Sequence, residues 1–207
     1  MSALSECRLY GIIDLGYVEK RDAGRIMEQM IEGGVDLIQL RGKNKSIGEL
    51  VDLSAELHEL TGKSSTPLIV NDHAEIARRV PIEGVHVGQD DDPIELVRQK
   101  VAHDILIGKS THSLGQARAA QVEGADYIGF GPIFATPTKP DYPPIGLEHI
   151  RRVHTEVNLP IFCIGGINIE NLQSVIDAGA KRVVMVSALL KAHNIVDYAR
   201  CATDMLA

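Results

Sequence analysis

The sequence predicts an α/β fold, a single-domain (β/α)8 barrel of the TIM-barrel architecture, over residues 1–207. Three observations carry this reading. Eight short apolar runs recur along the chain, each followed by a polar turn and then an amphipathic stretch. The runs are rich in Ile, Val and Leu, as parallel strands covered on both faces require. Asp14-Leu15-Gly16 follows the first run, so the Gly-rich turn expected of an open, doubly wound sheet is absent there.

In chain order, the strands are expected at 9–13, 37–40, 68–70, 84–87, 105–108, 127–130, 161–164 and 183–186. Each is too short for a helix and rich in β-branched residues. Helices are expected at 23–32, 47–61, 74–79, 93–100, 114–123, 147–153, 169–178 and 188–206. Ser46 ahead of Ile47-Gly48-Glu49 reads as a capping box. Asp92 reads as a cap followed by Pro93 in the first helical position. Gly33-Gly34, Gly62, Gly124 and Gly179 mark turns where helices end. No linker, low-complexity tract or long charge run divides the chain.

There is no Trp and only 4% of residues are aromatic, so the core must be aliphatic. A formal net charge of −7 argues against nucleic-acid or anionic-membrane partners, which want a basic face. Cations converging on one mouth can still hold an anionic substrate. Cys7, Cys163 and Cys201 are odd in number and far apart, which points to small buried thiols rather than a disulfide or zinc site. The start, Met1-Ser2-Ala3-Leu4, lacks the pattern of a signal peptide. No stretch approaches the ~20 apolar residues of a spanning helix. A cytoplasmic protein is expected, with homo-oligomerisation left open.

Polar residues just after barrel strands line the functional mouth. After the second strand, Gln39, Arg41 and Lys43 alternate onto one side. An Arg fork and a Lys point charge suit a diphosphate; a solvated basic turn is the equal alternative. Asn71-Asp72 and Asp90-Asp91-Asp92 follow the third and fourth strands, and such oxygen donors suit Mg²⁺ beside phosphate. Acidic residues ahead of a helix also serve its dipole, the duty expected of Asp92; Asp72 has no comparable helix to serve. After the fifth strand, Ser110 offers a hydroxyl, and His112 is either an acid–base group or a surface residue.

The loop after the sixth strand presents Thr136, Thr138 and Lys139, two hydroxyls and a cation in a Pro-stiffened segment. Gly129-Phe130-Gly131-Pro132-Ile133-Phe134 just before them is too apolar for a solvated loop. Gly165-Gly166 after the seventh strand and Val186-Ser187 after the eighth offer backbone amides to a phosphate.

Taken in order and spacing, these segments resemble the thiamine phosphate synthase (thiamine-phosphate pyrophosphorylase) family over nearly the whole chain. They are Gln39-Leu40-Arg41-Gly42-Lys43, Asn71-Asp72, Gly84-Val85-His86-Val87-Gly88-Gln89-Asp90-Asp91, Ser110-Thr111-His112, residues 129–139 with Pro144-Ile145-Gly146, and Ile164-Gly165-Gly166-Ile167. The resemblance implies a transferase that joins hydroxymethylpyrimidine diphosphate to hydroxyethylthiazole phosphate. Pyrophosphate leaves to give a pyrimidine-methyl cation, which the thiazole nitrogen captures. It implies that Gln39, Arg41, Lys43, Asn71, Ser110 and Lys139 hold the pyrimidine diphosphate, with Lys139, Arg41 and Ser110 as the catalytic set. Asp72 and Asp91 would bind Mg²⁺, while Thr136, Thr138, Gly166, Val186 and Ser187 would contact the thiazole phosphate. No protein nucleophile or general base is implied. The family often has Thr before the Asp that ends its first strand; this chain has Ile12-Ile13-Asp14, then a short first loop.

Other readings predict other residues. A thiazole tautomerase or regulatory relative on the same barrel is expected to lack part of the diphosphate and metal set, whereas Arg41, Lys43, Asp72, Asp91 and Lys139 are all present. A sugar-phosphate isomerase or aldolase would use Gly165-Gly166 and Ser187 but give Asp72 and Asp91 no shared purpose. A non-catalytic sensor of thiazole phosphate would bind without turnover.

Overall fold

A computed structural model describes residues 3–138 and 142–207. Eight parallel strands close into a barrel in sequential order. They are β1 Leu9–Asp14, β2 Leu37–Arg41, β3 Leu68–Asn71, β4 Gly84–Val87, β5 Leu106–Thr111, β6 Tyr127–Phe130, β7 Ile161–Cys163 and β8 Val183–Met185. The last strand returns beside the first, with Leu9 opposite Val183 and Gly11 opposite Met185. Around them lie α1 Ala3–Glu6, α2 Ala23–Glu32, α3 Ile47–Thr61, α4 Ile94–Lys100, α5 Leu114–Val122, α6 Ile150–Glu156, α7 Ile169–Asp177, α8 Ser187–Leu190 and α9 Ile195–Leu206.

Two cores follow from the alternation of strand side chains. The larger lies between sheet and helices and is mainly aliphatic, as the shortage of aromatics requires. The smaller fills the barrel with Tyr10, Leu37, Ile69, Tyr127, Phe162 and Val184. Its three rings meet edge to face, with centroids 6.1 Å apart for Tyr10–Tyr127, 5.4 Å for Tyr10–Phe162 and 5.7 Å for Tyr127–Phe162. Leu4 and Cys7 extend this cluster below the strands. There Arg8 Nη1 donates to the main-chain oxygens of Leu206 at 2.6 Å and Ala207 at 2.7 Å, tying the start of β1 to the end of α9.

The Ser46–Glu49 capping box forms as expected. Asp92 does not cap its helix. Pro93 is the cap residue, with extended backbone (ψ 148°), and Asp92 pairs instead with Lys100. The segment expected as a helix at 74–79 is a 3-10 helix, Ala74–Arg78. Pro81 follows closely and leaves no length for an α-helix. The sixth helix begins at Ile150 rather than 147, because the N–H groups of Ile145 and Gly146 are held by the carbonyls of Pro132 (2.8 Å) and Ile133 (3.2 Å). The long last helix is two: Asn194 accepts from the N–H of Asp197 and starts α9 afresh. None of the three cysteines is in a disulfide; Cys7 and Cys163 are buried as expected, but Cys201 is exposed. Among the described residues no helix is long and apolar enough to cross a membrane.

Candidate active site

A cavity of about 400 Å³ opens at the C-terminal ends of the strands. Gln39, Arg41, Asn71, Ser110, Thr136, Thr138, Gly166, Val186 and Ser187 all line it, so residues from six strands and their loops converge as the sequence predicts. Lys43, Asp72 and Asp91 are not part of that lining; they form a polar group of their own, in which Lys43 Nζ lies 3.9 Å from Asp72 Oδ2. Lys139 lies outside the described residues.

The basic side is organised by a residue not singled out in the sequence. Strand register sets Asp14 opposite Arg41, and Arg41 Nη1 donates to Asp14 Oδ2 at 2.5 Å. Their side chains are 3% and 15% exposed, so the guanidinium is held in place before any ligand arrives. Asp14 Oδ1 also accepts from the N–H of Gly16 at 2.9 Å, which folds the first loop back on the strand end.

Asp72 sits in a left-handed backbone conformation (φ 65°), with its N–H bonded to the carbonyl of His86 at 2.9 Å. The carboxylate of Asp91 accepts from the N–H of Gly88 at 2.6 Å, which aims the β4 loop at β3. The Asp72 carboxyl is pushed up to about 6, first by burial and then by the hydrogen bond and charge of Asp91, with Lys43 and His73 opposing. Two carboxylates crowded this closely resist ionising together, and a divalent cation relieves that conflict. Among the described residues no cluster of three or more His, Cys, Asp or Glu side chains is gathered. Mg²⁺ asks for no more than this pair, since it commonly takes one or two protein carboxylates and fills its shell with phosphate oxygens and water. The donor set therefore fits Mg²⁺.

The cavity floor carries a chain of buried hydrogen bonds. Gln39 Nε2 donates to the Tyr10 hydroxyl at 2.5 Å, and the Tyr10 and Tyr127 hydroxyls are 3.2 Å apart. Tyr127 Oη lies 3.2 Å from His86 Nδ1, and His86 Nε2 lies 3.0 Å from Ser110 Oγ. The Ser110 carbonyl accepts from Gln89 Nε2 at 2.6 Å. Gly108 leaves the space for this arrangement: a Cβ there would stand 2.1 Å from Tyr127 Cζ and 2.5 Å from His86 Nδ1.

The opposite wall is made by two interlocked loops. The N–H groups of Ile133 and Phe134 donate to the carbonyls of Ile164 (2.8 Å) and Gly165 (2.9 Å), and Phe130 and Ile133 are buried, which explains why 129–134 is apolar. Gly166 has φ 66°, and a Cβ on it would meet the Ala135 carbonyl oxygen at 2.6 Å. Thr136 Oγ1 accepts from the N–H of Thr138 at 3.3 Å, and Thr138 Oγ1 is 2.9 Å from the hydroxyl of Tyr17. The short first loop thus reaches the sixth and closes that side. His112 pairs through Nδ1 with the Gly131 carbonyl at 2.6 Å and packs on Tyr142, with ring centroids 4.5 Å apart. It braces the loop.

Residues 9–189 match the family model described as thiamine monophosphate synthase. The thiamine-phosphate synthase of Chloroflexus aurantiacus is 43% identical over 194 residues, covering 93% of this chain and 89% of that protein. That of Halalkalibacterium halodurans is 40% identical over 193 residues, covering 93% and 92%. The chain belongs to the thiamine monophosphate synthase family. A solved thiamine phosphate pyrophosphorylase from Pyrococcus furiosus is 31% identical, with a TM-score of 0.89 over 98% of this chain and 96% of that one.

Within this thiamine monophosphate synthase family member, sequence reasoning passed over Asp14, Tyr10, His86 and Tyr127, which contact or support the expected site residues. Asp14 had a signal, being a carboxylate at a strand end facing an Arg at the next. His86 stood in a quoted motif, but its partners come from neighbouring strands and no local spacing reveals them.

Proposed function

We propose that this chain makes thiamine phosphate and pyrophosphate from hydroxymethylpyrimidine diphosphate and hydroxyethylthiazole phosphate, with Mg²⁺ as the cofactor. One observation carries the reading. A preorganised Arg41 lines a cavity whose far wall is made of hydroxyls and glycine-opened backbone, and on the strand-end loops next to Arg41 and Asn71 stands a separate polar group, Lys43 with the conflicted carboxylate pair Asp72–Asp91. Arg41 and that polar group suit a diphosphate with its metal. The wall suits the phosphate of a partner substrate.

Gln39, Arg41, Lys43, Asn71 and Ser110 would together hold the pyrimidine diphosphate. Lys139 joins them as a third cation on the strength of the sequence. Asp72 and Asp91 would hold Mg²⁺, which when bound supplies positive charge to the diphosphate oxygens. Cations aimed at the leaving group gain most as the C–O bond lengthens and negative charge collects there. The buried, hydrogen-bonded floor and the interlocked loops would limit water near the reacting carbon, which favours capture by the thiazole nitrogen over capture by water. Thr136, Thr138, Gly166, Val186 and Ser187 would orient the thiazole phosphate for that capture. The test is pyrophosphate release from the purified chain with both heterocycles and Mg²⁺, each omitted in turn. Release without the thiazole phosphate, or none with all three, would reject the reading.

A further inference from the structure

The floor network has a direction, and an amide sets it. The Gln39 nitrogen can only donate, so the Tyr10 oxygen accepts from it at 2.5 Å. The Tyr10 hydroxyl keeps its own proton to give, and the Tyr127 oxygen at 3.2 Å is an acceptor within its reach. The Tyr127 proton is left for His86 Nδ1 at 3.2 Å. With Nδ1 accepting, a neutral imidazole carries its proton on Nε2 and donates it to Ser110 Oγ at 3.0 Å. Ser110 has then filled an acceptor position and keeps its own proton for the cavity that it lines. Burial holds the phenols of Tyr10 and Tyr127 well above their usual range, so both stay protonated donors.

The geometry points to Tyr10 and Tyr127 as positioning residues that, through the tautomer of His86, turn the Ser110 hydroxyl outward as a hydrogen-bond donor to the pyrimidine diphosphate. This rests on the functional reading above for the ligand, though not for the direction of the chain. Tyr127→Phe removes the hydroxyl proton that, given to Nδ1, favours the Nε2–H tautomer. In the other tautomer, Nε2 becomes an acceptor, takes the Ser110 proton, and leaves the substrate facing an oxygen lone pair. Tyr127→Phe keeps the ring and its edge-to-face packing, so what it removes is the signal passed along the chain.

Two measurements test this. In the first, kcat/KM for the pyrimidine diphosphate is compared among wild type, Tyr127→Phe, Ser110→Ala and the double variant. Tyr127→Phe should lower kcat/KM about tenfold, the scale of one hydrogen bond to a charged ligand, and the double variant should be no worse than Ser110→Ala. Losses that multiply would overturn the proposal, since a merely structural Tyr127 acts independently of Ser110. In the second, ¹⁵N NMR of labelled histidine, assigned by the signal missing from His86→Gln, should show Nδ1 unprotonated and Nε2 protonated in the wild type. A proton on Nδ1 would overturn it. The NMR result needs no turnover, so a chain that makes no thiamine phosphate would fail the functional reading while leaving this inference to stand or fall by its own signal.

Discussion

Replacing Gly108 by Ala tests whether the floor is as tightly built as its distances state. The added Cβ would stand 2.1 Å from Tyr127 Cζ, where ordinary contact begins at 3.4 Å, so the ring must withdraw by about 1.3 Å. It has nowhere to go, because Tyr10 and Phe162 pack against it and it is fully buried. Overpacking of a rigid core costs about 1–3 kcal/mol, and a clash with a fixed ring belongs at the upper end. Ala in a strand returns roughly 0.5–1 kcal/mol relative to Gly. The net loss is about 2–2.5 kcal/mol, which in a chain of this size lowers Tm by roughly 4–10 °C. Activity should fall as well, since the same Cβ approaches His86 Nδ1 at 2.5 Å and displaces it from Tyr127. Calorimetric melting and kcat/KM, measured together, check both effects. A Gly108→Ala protein that melts with the wild type and keeps its kinetics would refute the reasoning about the floor.

Asp72→Ala is expected to abolish Mg²⁺-dependent turnover without unfolding the chain; most of the activity persisting at saturating Mg²⁺, with unchanged melting, would remove Asp72 from the metal site. Thr138→Val should raise the KM for thiazole phosphate about 10- to 150-fold, and far more than for the pyrimidine diphosphate, if its hydroxyl bonds the phosphate. Tyr17→Phe serves as the control, because it cuts the Tyr17–Thr138 link but keeps the Thr hydroxyl. His154 is pushed down from its usual 6.5 to about 4, first by burial and then by Lys181 and Arg182. Its folded form resists protonation that the unfolded chain accepts, so stability is full above about pH 6.5 and falls toward pH 4. Melting temperatures across that window should flatten in His154→Leu, and an unchanged slope would clear this residue of the effect.

The fold was legible because buried parallel strands announce themselves as unbroken aliphatic runs, and all eight lie where those runs are. The boundaries that moved did so for reasons outside the local pattern. Helix 147–153 starts late because Ile145 and Gly146 are bonded to Pro132 and Ile133, a contact no periodicity reports. The break before Asn194 was written as a cap signal, Asn194 ahead of Asp197, but the apolar spacing ran straight through it. In the site, residues that meet a ligand sit at strand ends and could be read in order. Residues that meet each other could not: Asp14 and Arg41 are 27 positions apart, and Tyr10 and Tyr127 are 117 apart. Only barrel register brings such pairs together, so the supporting polar chain behind Ser110 was invisible until the strands were placed.

The bonds from Arg8 to Leu206 and Ala207 have a consequence for engineering the chain. They place the segment that enters β1 beside the end of α9, on the face opposite the cavity and close enough for a short linker to bridge Arg8 and Leu206. A closed ring of eight units has no privileged starting point. The chain can therefore be circularly permuted by cutting at the exposed Lys63-Ser64-Ser65 turn, on that same distal face. That cut would also free Ser65 from a left-handed backbone conformation (φ 58°) that a residue with a side chain holds at a cost. Tags, tethers or fused domains attached at either set of ends would stand a full barrel length from the mouth.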